Sequence, residues 1–131
     1  MIKMNEHKAA VKALSWCPWN TGVLATGGGK QDGAIKLWNV FSGVLNNSIE
    51  TSSQVSGLLW SEFNRELLSS HGEPDHKLSV WKFPSLNKIG DIHGHEDRVL
   101  PIALSPNGEK VVSLGADKTL RNNYILQIFL K

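Results

Sequence analysis

The sequence predicts an all-β fold assembled from several small antiparallel sheets, and three observations predict it. The chain repeats itself: Val11, Val55 and Val99 stand 44 residues apart, Trp16, Trp60 and Leu104 keep the same step, and Trp38 and Trp81 are 43 apart. Within each repeat, short apolar runs are separated by Gly, Pro and Asn turn signals. No segment carries a 3.6-residue apolar stripe of ten residues or more, which leaves helix a minor component.

The elements follow in order. The first repeat runs from VKALSW (11–16) through VLATGGG (23–29) to IKLW (35–38). The second runs from VSGLLW (55–60) through ELLSSHG (66–72) to LSVW (78–81), and the third from VLPIAL (99–104) through KVVSLGA (110–116) to TLRN (119–122). Val11, Ala13 and Ser15 alternate with Lys12, Leu14 and Trp16, so period two sends the two sets to opposite faces of a sheet. Pro18 with Asn20–Thr21–Gly22, Ser42–Gly43, and Pro106–Asn107–Gly108 mark tight turns. A period of 40–45 with several β-runs per repeat is the signature of WD-repeat propeller blades. The expected division is a remnant of a preceding blade at 1–6, blade one at 7–50, blade two at 51–93, an incomplete blade three at 94–123, and an atypical C-terminal segment at 124–131. Tyr124–Lys131 is apolar enough for a strand but matches nothing earlier.

Three blades do not close a ring, and closed propellers use four to eight. The expectation is therefore a partial propeller, a fragment of a larger domain. Its two open edges make it marginal or aggregation-prone on its own.

Composition narrows function by exclusion. The chain has 131 residues with a formal charge of +2 and scattered basic residues, which argues against nucleic-acid binding. No apolar run is long enough to cross a membrane. Cys17 is the one cysteine and has no internal disulfide partner, pointing to a reducing compartment. No acid–base pair or activated nucleophile stands out, so an enzyme is not expected, nor is a cofactor.

Each repeat carries polar residues that can form a buried hydrogen-bond chain, tolerable inside a protein when every member is satisfied. Repeat one supplies His7, Thr26, Asp32 and Trp38. Repeat two supplies Ser69, Asp75 and Trp81, with Thr51 or Ser52 where a His is expected. Repeat three supplies His95, Ser113 and Asp117, with Asn123 in place of the Trp.

The string HKAAVKALSWCPWNTGVLATGGG (7–29) is more specific than a generic WD repeat. Together with IKLWNVFSG (35–43), SQVSGLLWS (53–61), KLSVWKFP (77–84), GHEDRVLPIALSPNGEKV (94–111) and ADKTLR (116–121), it resembles the Fizzy family. These are the cell-division-cycle-twenty and Fizzy-related activators of the anaphase-promoting complex/cyclosome. The resemblance covers residues 7–121 and corresponds to the last three blades of a seven-bladed domain.

The resemblance implies a substrate-recognition adaptor without catalysis of its own. Its partners would be anaphase-promoting complex/cyclosome subunits and degron-bearing proteins such as cyclins, in nucleus and cytoplasm. Lys30, Gln54 and Arg98 match the positions of the family's KEN-type degron pocket. Arg98 would pair with a degron carboxylate, Gln54 would bond peptide amides, and Lys30 stands where a small hydroxyl residue is usual. Lys118 falls where the last blade offers an acidic residue to the arginine of a D-box-type degron, which a lysine would repel. The first blade, the other side of that groove, is not in this chain, and neither are the family's N-terminal docking motif and C-terminal Ile–Arg tail. The rival expectation is a non-catalytic WD-repeat scaffold that has lost degron binding.

Other constellations have plainer readings. His93–Gly94–His95 and the set His71, Glu73, Asp75 and His76 are read as blade-leading and polar-loop residues, so no metal site is expected. Gly27–Gly28–Gly29–Lys30 lacks the spacing of a phosphate loop and reads as a strand end and turn. Cys17 reads as a buried structural thiol. Asn46–Asn47–Ser48 is a glycosylation sequon that reads as chance without a secretory signal. Trp19, in a turn, either covers a blade edge or offers an aromatic anchor to a partner.

Overall fold

A computed structural model describes the backbone of residues 1–124 and the side chains of residues 1–121. The strand expected over 124–131 lies outside the described residues except for Tyr124. Among the described residues, eleven strands form: β1 (Val11–Trp16), β2 (Val23–Gly28), β3 (Ala34–Asn39), β4 (Val44–Glu50), β5 (Val55–Ser61), β6 (Glu66–His71), β7 (Leu78–Lys82), β8 (Asn87–Ile92), β9 (Val99–Leu104), β10 (Lys110–Gly115) and β11 (Leu120–Tyr124). They make two four-stranded sheets, β1-β2-β3-β4 and β5-β6-β7-β8, and a third in which β9, β10 and β11 are described. Every pairing is antiparallel between neighbours in sequence. The chain is thus a run of meandering blades from an all-β propeller.

The 44-residue repeat is visible in the register. Val11 pairs with Gly28, Val55 with His71 and Val99 with Gly115, and a bulge follows at the same place in each blade. The turn between second and third strands repeats too. Gly33, His76 and Lys118 each follow an Asp and each adopt a left-handed backbone, at φ 57°, 47° and 65°. Gly meets that geometry freely, whereas His76 and Lys118 do so against the clash of Cβ with the backbone.

Burial explains the stacking. Ala13, Ala25, Ile35 and Leu37 of blade one pack against Val55, Leu58, Trp60 and Leu67 of blade two. Leu68, Leu78 and Val80 on the other face of blade two meet Val99 and Val111 of blade three. β5 lies beside both β1 and β9, while β2 packs on β5 and β6 on β9, so the blades rotate about the edge formed by their first strands. Strands covered on both faces cannot show a clean polar–apolar alternation, and β2 and β6 are buried throughout. Polar stitches cross the seams: Trp60 Nε1–H donates to the Ser15 carbonyl at 3.0 Å, and Ser70 Oγ–H to that of Leu100 at 2.9 Å.

Candidate functional site

Blade one joins all four of its polar residues. Trp38 Nε1–H donates to Thr26 Oγ1 at 2.8 Å, Thr26 and His7 Nε2 are 2.6 Å apart, and His7 Nδ1 bonds Asp32. An indole can only donate and a carboxylate can only accept. The two ends are therefore fixed: Trp38 gives a proton to Thr26, and Asp32 receives one from His7. Blade three has the same middle. His95 Nε2 is 2.9 Å from Ser113 Oγ and His95 Nδ1 is 3.1 Å from Asp117. Thr119, through its hydroxyl and its N–H, and the Glu96 N–H hold the Asp117 carboxyl below its usual range. In the register, Val111 faces Asn123 where Leu24 faces Trp38.

Blade two finds its imidazole elsewhere. Trp81 Nε1–H donates to Ser69 at 2.7 Å, and Ser69 lies 2.7 Å from His71 Nε2. His71 Nδ1 meets Ser53 Oγ at 3.1 Å, and Ser53 donates to Asp75 at 3.0 Å. The chain ends as in blade one, an indole donor at one end and a carboxylate at the other, with Ser53 inserted before the carboxylate. Burial holds His71 in its neutral form, lowering its pKa to about 4, while the Ser52 hydroxyl lowers Asp75. Beyond this relay, burial raises the Asp91 carboxyl, but bonds from Ser79, Lys77 and Lys88 outweigh it and hold the pKa at about 2.

Three sequence-predicted site residues come together at the rim where the blades lead into their first strands. Lys30, Gln54 and Arg98 line a cavity of about 130 Å³ with Gly72 and Glu73. Gln54 and Arg98 immediately precede Val55 and Val99, so they are equivalent positions on adjacent blades. Lys30 and Glu73 are equivalent in the same sense, each two residues beyond the partner of the blade's first valine. Gly72 N–H donates to the Gln54 carbonyl at 3.1 Å, tying the Glu73 turn to the pocket wall. The Gly72 position has Cβ atoms of Gln54 and Arg98 on either side at 3.7 Å from where its own Cβ would lie. Lys30 Nζ lies 3.6 Å from Glu73 Oε2. Lys118 is exposed in the β10–β11 turn and is not part of this pocket.

Trp19 acts as a cover. It stacks edge-to-face on Trp60 at 5.2 Å and on Phe83 at 5.5 Å, and those two meet at 5.5 Å, closing the outer end of the first seam. Cys17 is buried, and burial raises its thiol. Among the described residues, no group of three or more His, Cys, Asp or Glu is arranged to hold a metal. His71, expected in a polar loop, instead ends strand β6 and is buried, and with Asp75 it belongs to the blade-two relay.

Sequence reasoning missed His71, Ser53 and Glu73. The available signal for His71 was that Gly28 and Gly115 occupy its equivalent positions.

The family model "WD domain, G-beta repeat" matches residues 1–39 and 86–121. The chain belongs to this family. The resemblance to Fizzy-type proteins is borne out by its relatives. "Cell division cycle 20.4, cofactor of APC complex" of Arabidopsis thaliana is 53% identical over 91% of this chain. "Anaphase-promoting complex subunit cdc20" of Dictyostelium discoideum is 51% identical over 88% of it, and "Protein FIZZY-RELATED 3" of Arabidopsis thaliana 44% over 92%. The chain spans 27%, 23% and 25% of those proteins. A chain in "Crystal Structure of Mitotic Checkpoint Complex" superposes with a TM-score of 0.89 at 43% identity, over 92% of this chain and 37% of that one.

Proposed function

We propose that this chain supplies part of the substrate-recognition surface of an anaphase-promoting complex/cyclosome cofactor, binding KEN-type degron peptides at the Lys30–Gln54–Arg98 pocket without catalysing any step. In this reading it works with subunits of that ligase on degron-bearing proteins such as cyclins, in nucleus and cytoplasm. One observation carries it: Lys30, Gln54 and Arg98, distant in sequence and drawn from three repeats, line a single cavity.

The chemistry suits a short polar peptide. Arg98 presents a planar, always-charged donor fork for a carboxylate, and Gln54 offers both donor and acceptor to an amide. The names of the relatives support the partner.

The rival is a scaffold without degron binding, favoured by the ion pair Lys30–Glu73 inside the same pocket. Fluorescence anisotropy of a labelled KEN-type peptide with the 131-residue chain separates the two. Saturable binding that disappears in Arg98→Ala supports the pocket. Equal, weak binding of a scrambled peptide supports the scaffold.

A further inference from the structure

A cavity of about 420 Å³ lies between β4, the outer strand of blade one, and the turn joining β7 to β8 in blade two. That volume is within the range of roughly 300–1,000 Å³ usual for ligand pockets. The cavity shares no residue with the Lys30–Gln54–Arg98 pocket. Val23, Leu37 and Phe83 give it an apolar lining continuous with the core of the first seam. Asn47 latches the seam beside it, with Nδ2–H donating to the carbonyls of Pro84 and Ser85 at 3.0 Å each.

Two further amides in the lining are open. Asn20 Oδ1 accepts from the Gly22 N–H at 3.2 Å, which leaves its Nδ2 donors free among the described residues. The side chain of Asn46 makes no hydrogen bond among them. A bulge accounts for its position. Leu37 pairs with Asn47 and Trp38 with Leu45, so Asn46 is the extra residue of β4. A bulge leaves such a residue out of the ladder and re-aims its side chain. The second seam cannot repeat the site, because the equivalent residues of β8 are Ile89 and Gly90, which carry no amide.

We propose that this cavity is a peptide-binding site distinct from the rim pocket, taking one uncharged aliphatic side chain of a partner segment while Asn20 and Asn46 bond that segment's backbone. No charged residue lines the cavity among the described residues, so a charged side chain would lose its hydration without compensation. The apolar lining rewards burial of a branched aliphatic group. A carboxamide carries both the donor and the acceptor of a peptide group, so Asn46 can answer a backbone C=O and N–H. The segment is held by side chains and does not add as a strand. On either side of Asn46 the β4 edge is already capped: Ser42 Oγ accepts from the Val44 N–H at 3.4 Å, and Asn47 Oδ1 from the Ser48 N–H at 2.8 Å. Selection here is for shape and neutrality, the opposite of the charged rim pocket, and it stands whether or not that pocket binds a degron.

The test measures fluorescence anisotropy of a labelled Ser-Gly-Leu-Gly-Ser peptide, and of companions with alanine or lysine in place of the leucine, on the 131-residue chain. The leucine peptide is expected to bind saturably and the alanine peptide about ten-fold more weakly. The lysine peptide is expected to be weaker than the leucine peptide by at least about ten-fold. Asn46→Ala is expected to weaken the leucine peptide about two- to ten-fold, the scale of one hydrogen bond. Asn46→Asp, which puts a carboxylate in the neutral lining, is expected to narrow the preference for leucine over lysine. Arg98→Ala is expected to change neither. The Asn46 side chain is exposed, and circular dichroism checks that the sheets persist in both variants. Equal affinity of the three peptides, no saturable binding of the leucine peptide, or a leucine preference left unchanged by both Asn46 variants overturns the proposal.

Discussion

His71 occupies in blade two the strand position that Gly28 occupies in blade one. Each is the partner of its blade's first valine, and each sits two residues past the relay hydroxyl. A Cβ at Gly28 would overlap the Asp32 carboxyl, and one at Gly115 would overlap the His95 ring and the Asp117 carboxyl. In blades one and three the loop histidine and turn aspartate fill that space, so the strand must carry glycine. In blade two the leading loop offers Thr51 at the histidine position, and the strand histidine moves into the vacated volume. From the strand it reaches Asp75 only through Ser53. The relay is kept and its imidazole is relocated.

His71→Gly is expected to destabilise the chain by roughly 2–5 kcal/mol, since it leaves the buried Ser69 and Ser53 hydroxyls without their shared partner. Adding Thr51→His to that variant rebuilds the blade-one arrangement and is expected to recover part of the loss. Urea unfolding followed by tryptophan fluorescence measures both. Equal midpoints for the single and double variants would refute the equivalence of the two designs.

The same histidine sets a pH dependence. Burial lowers its pKa from the ordinary 6.5 to about 4 in the folded chain. Between these values the unfolded chain binds a proton that the folded chain does not, so stability rises with pH across the window and falls as pH drops from 6.5 toward 4. The contribution at neutral pH is on the order of 3 kcal/mol. Unfolding midpoints across pH 4 to 7 should climb in the unaltered chain and climb less in His71→Gln.

The aromatic cluster is a seam lock. Trp19→Ala is expected to cost about 2–3 kcal/mol, below the range for a fully buried aromatic because Trp19 is half-buried. A double-mutant cycle with Phe83→Ala should return a coupling of about 0.5–1.5 kcal/mol for the edge-to-face pair. Strict additivity would place the ring contact outside the stabilising set.

The outer faces of the stack are apolar and uncovered. Trp16 is 58% exposed while its equivalent in blade two, Trp60, is 5% exposed. Leu120 is 67% exposed while Ile35 and Leu78, at the same register, are 0% and 1% exposed. The 131-residue chain is therefore expected to self-associate with rising concentration, and Trp16→Ser with Leu120→Ser to shift it toward monomer in sedimentation velocity. A monomer at all concentrations would contradict the role of these faces.

The blades were legible because a 44-residue spacing, repeated in Val11, Val55 and Val99, survives any local noise in strand pattern. Lys30, Gln54 and Arg98 came from family resemblance, since polar residues ahead of a strand are ordinary on spacing alone. His71 was hidden because its role depends on what the leading loop lacks, a relation across about 20 residues that no strand periodicity reports. Glu73 was hidden because its neighbour Lys30 belongs to another blade, and pairs across a seam become visible only when the sheets are stacked. Trp19 left two readings open on sequence, and the positions of Trp60 and Phe83 decided between them.

Hydrogen–deuterium exchange of the 131-residue chain with and without a KEN-type peptide tests the central claim most directly. Slowed exchange appearing together around Lys30, around Gln54, in the turn at Gly72–Glu73 and around Arg98 is the predicted result. Protection confined to the outer rim, where Asn47 Nδ2–H donates to the Ser85 carbonyl at 3.0 Å, with those four segments unchanged, would contradict it.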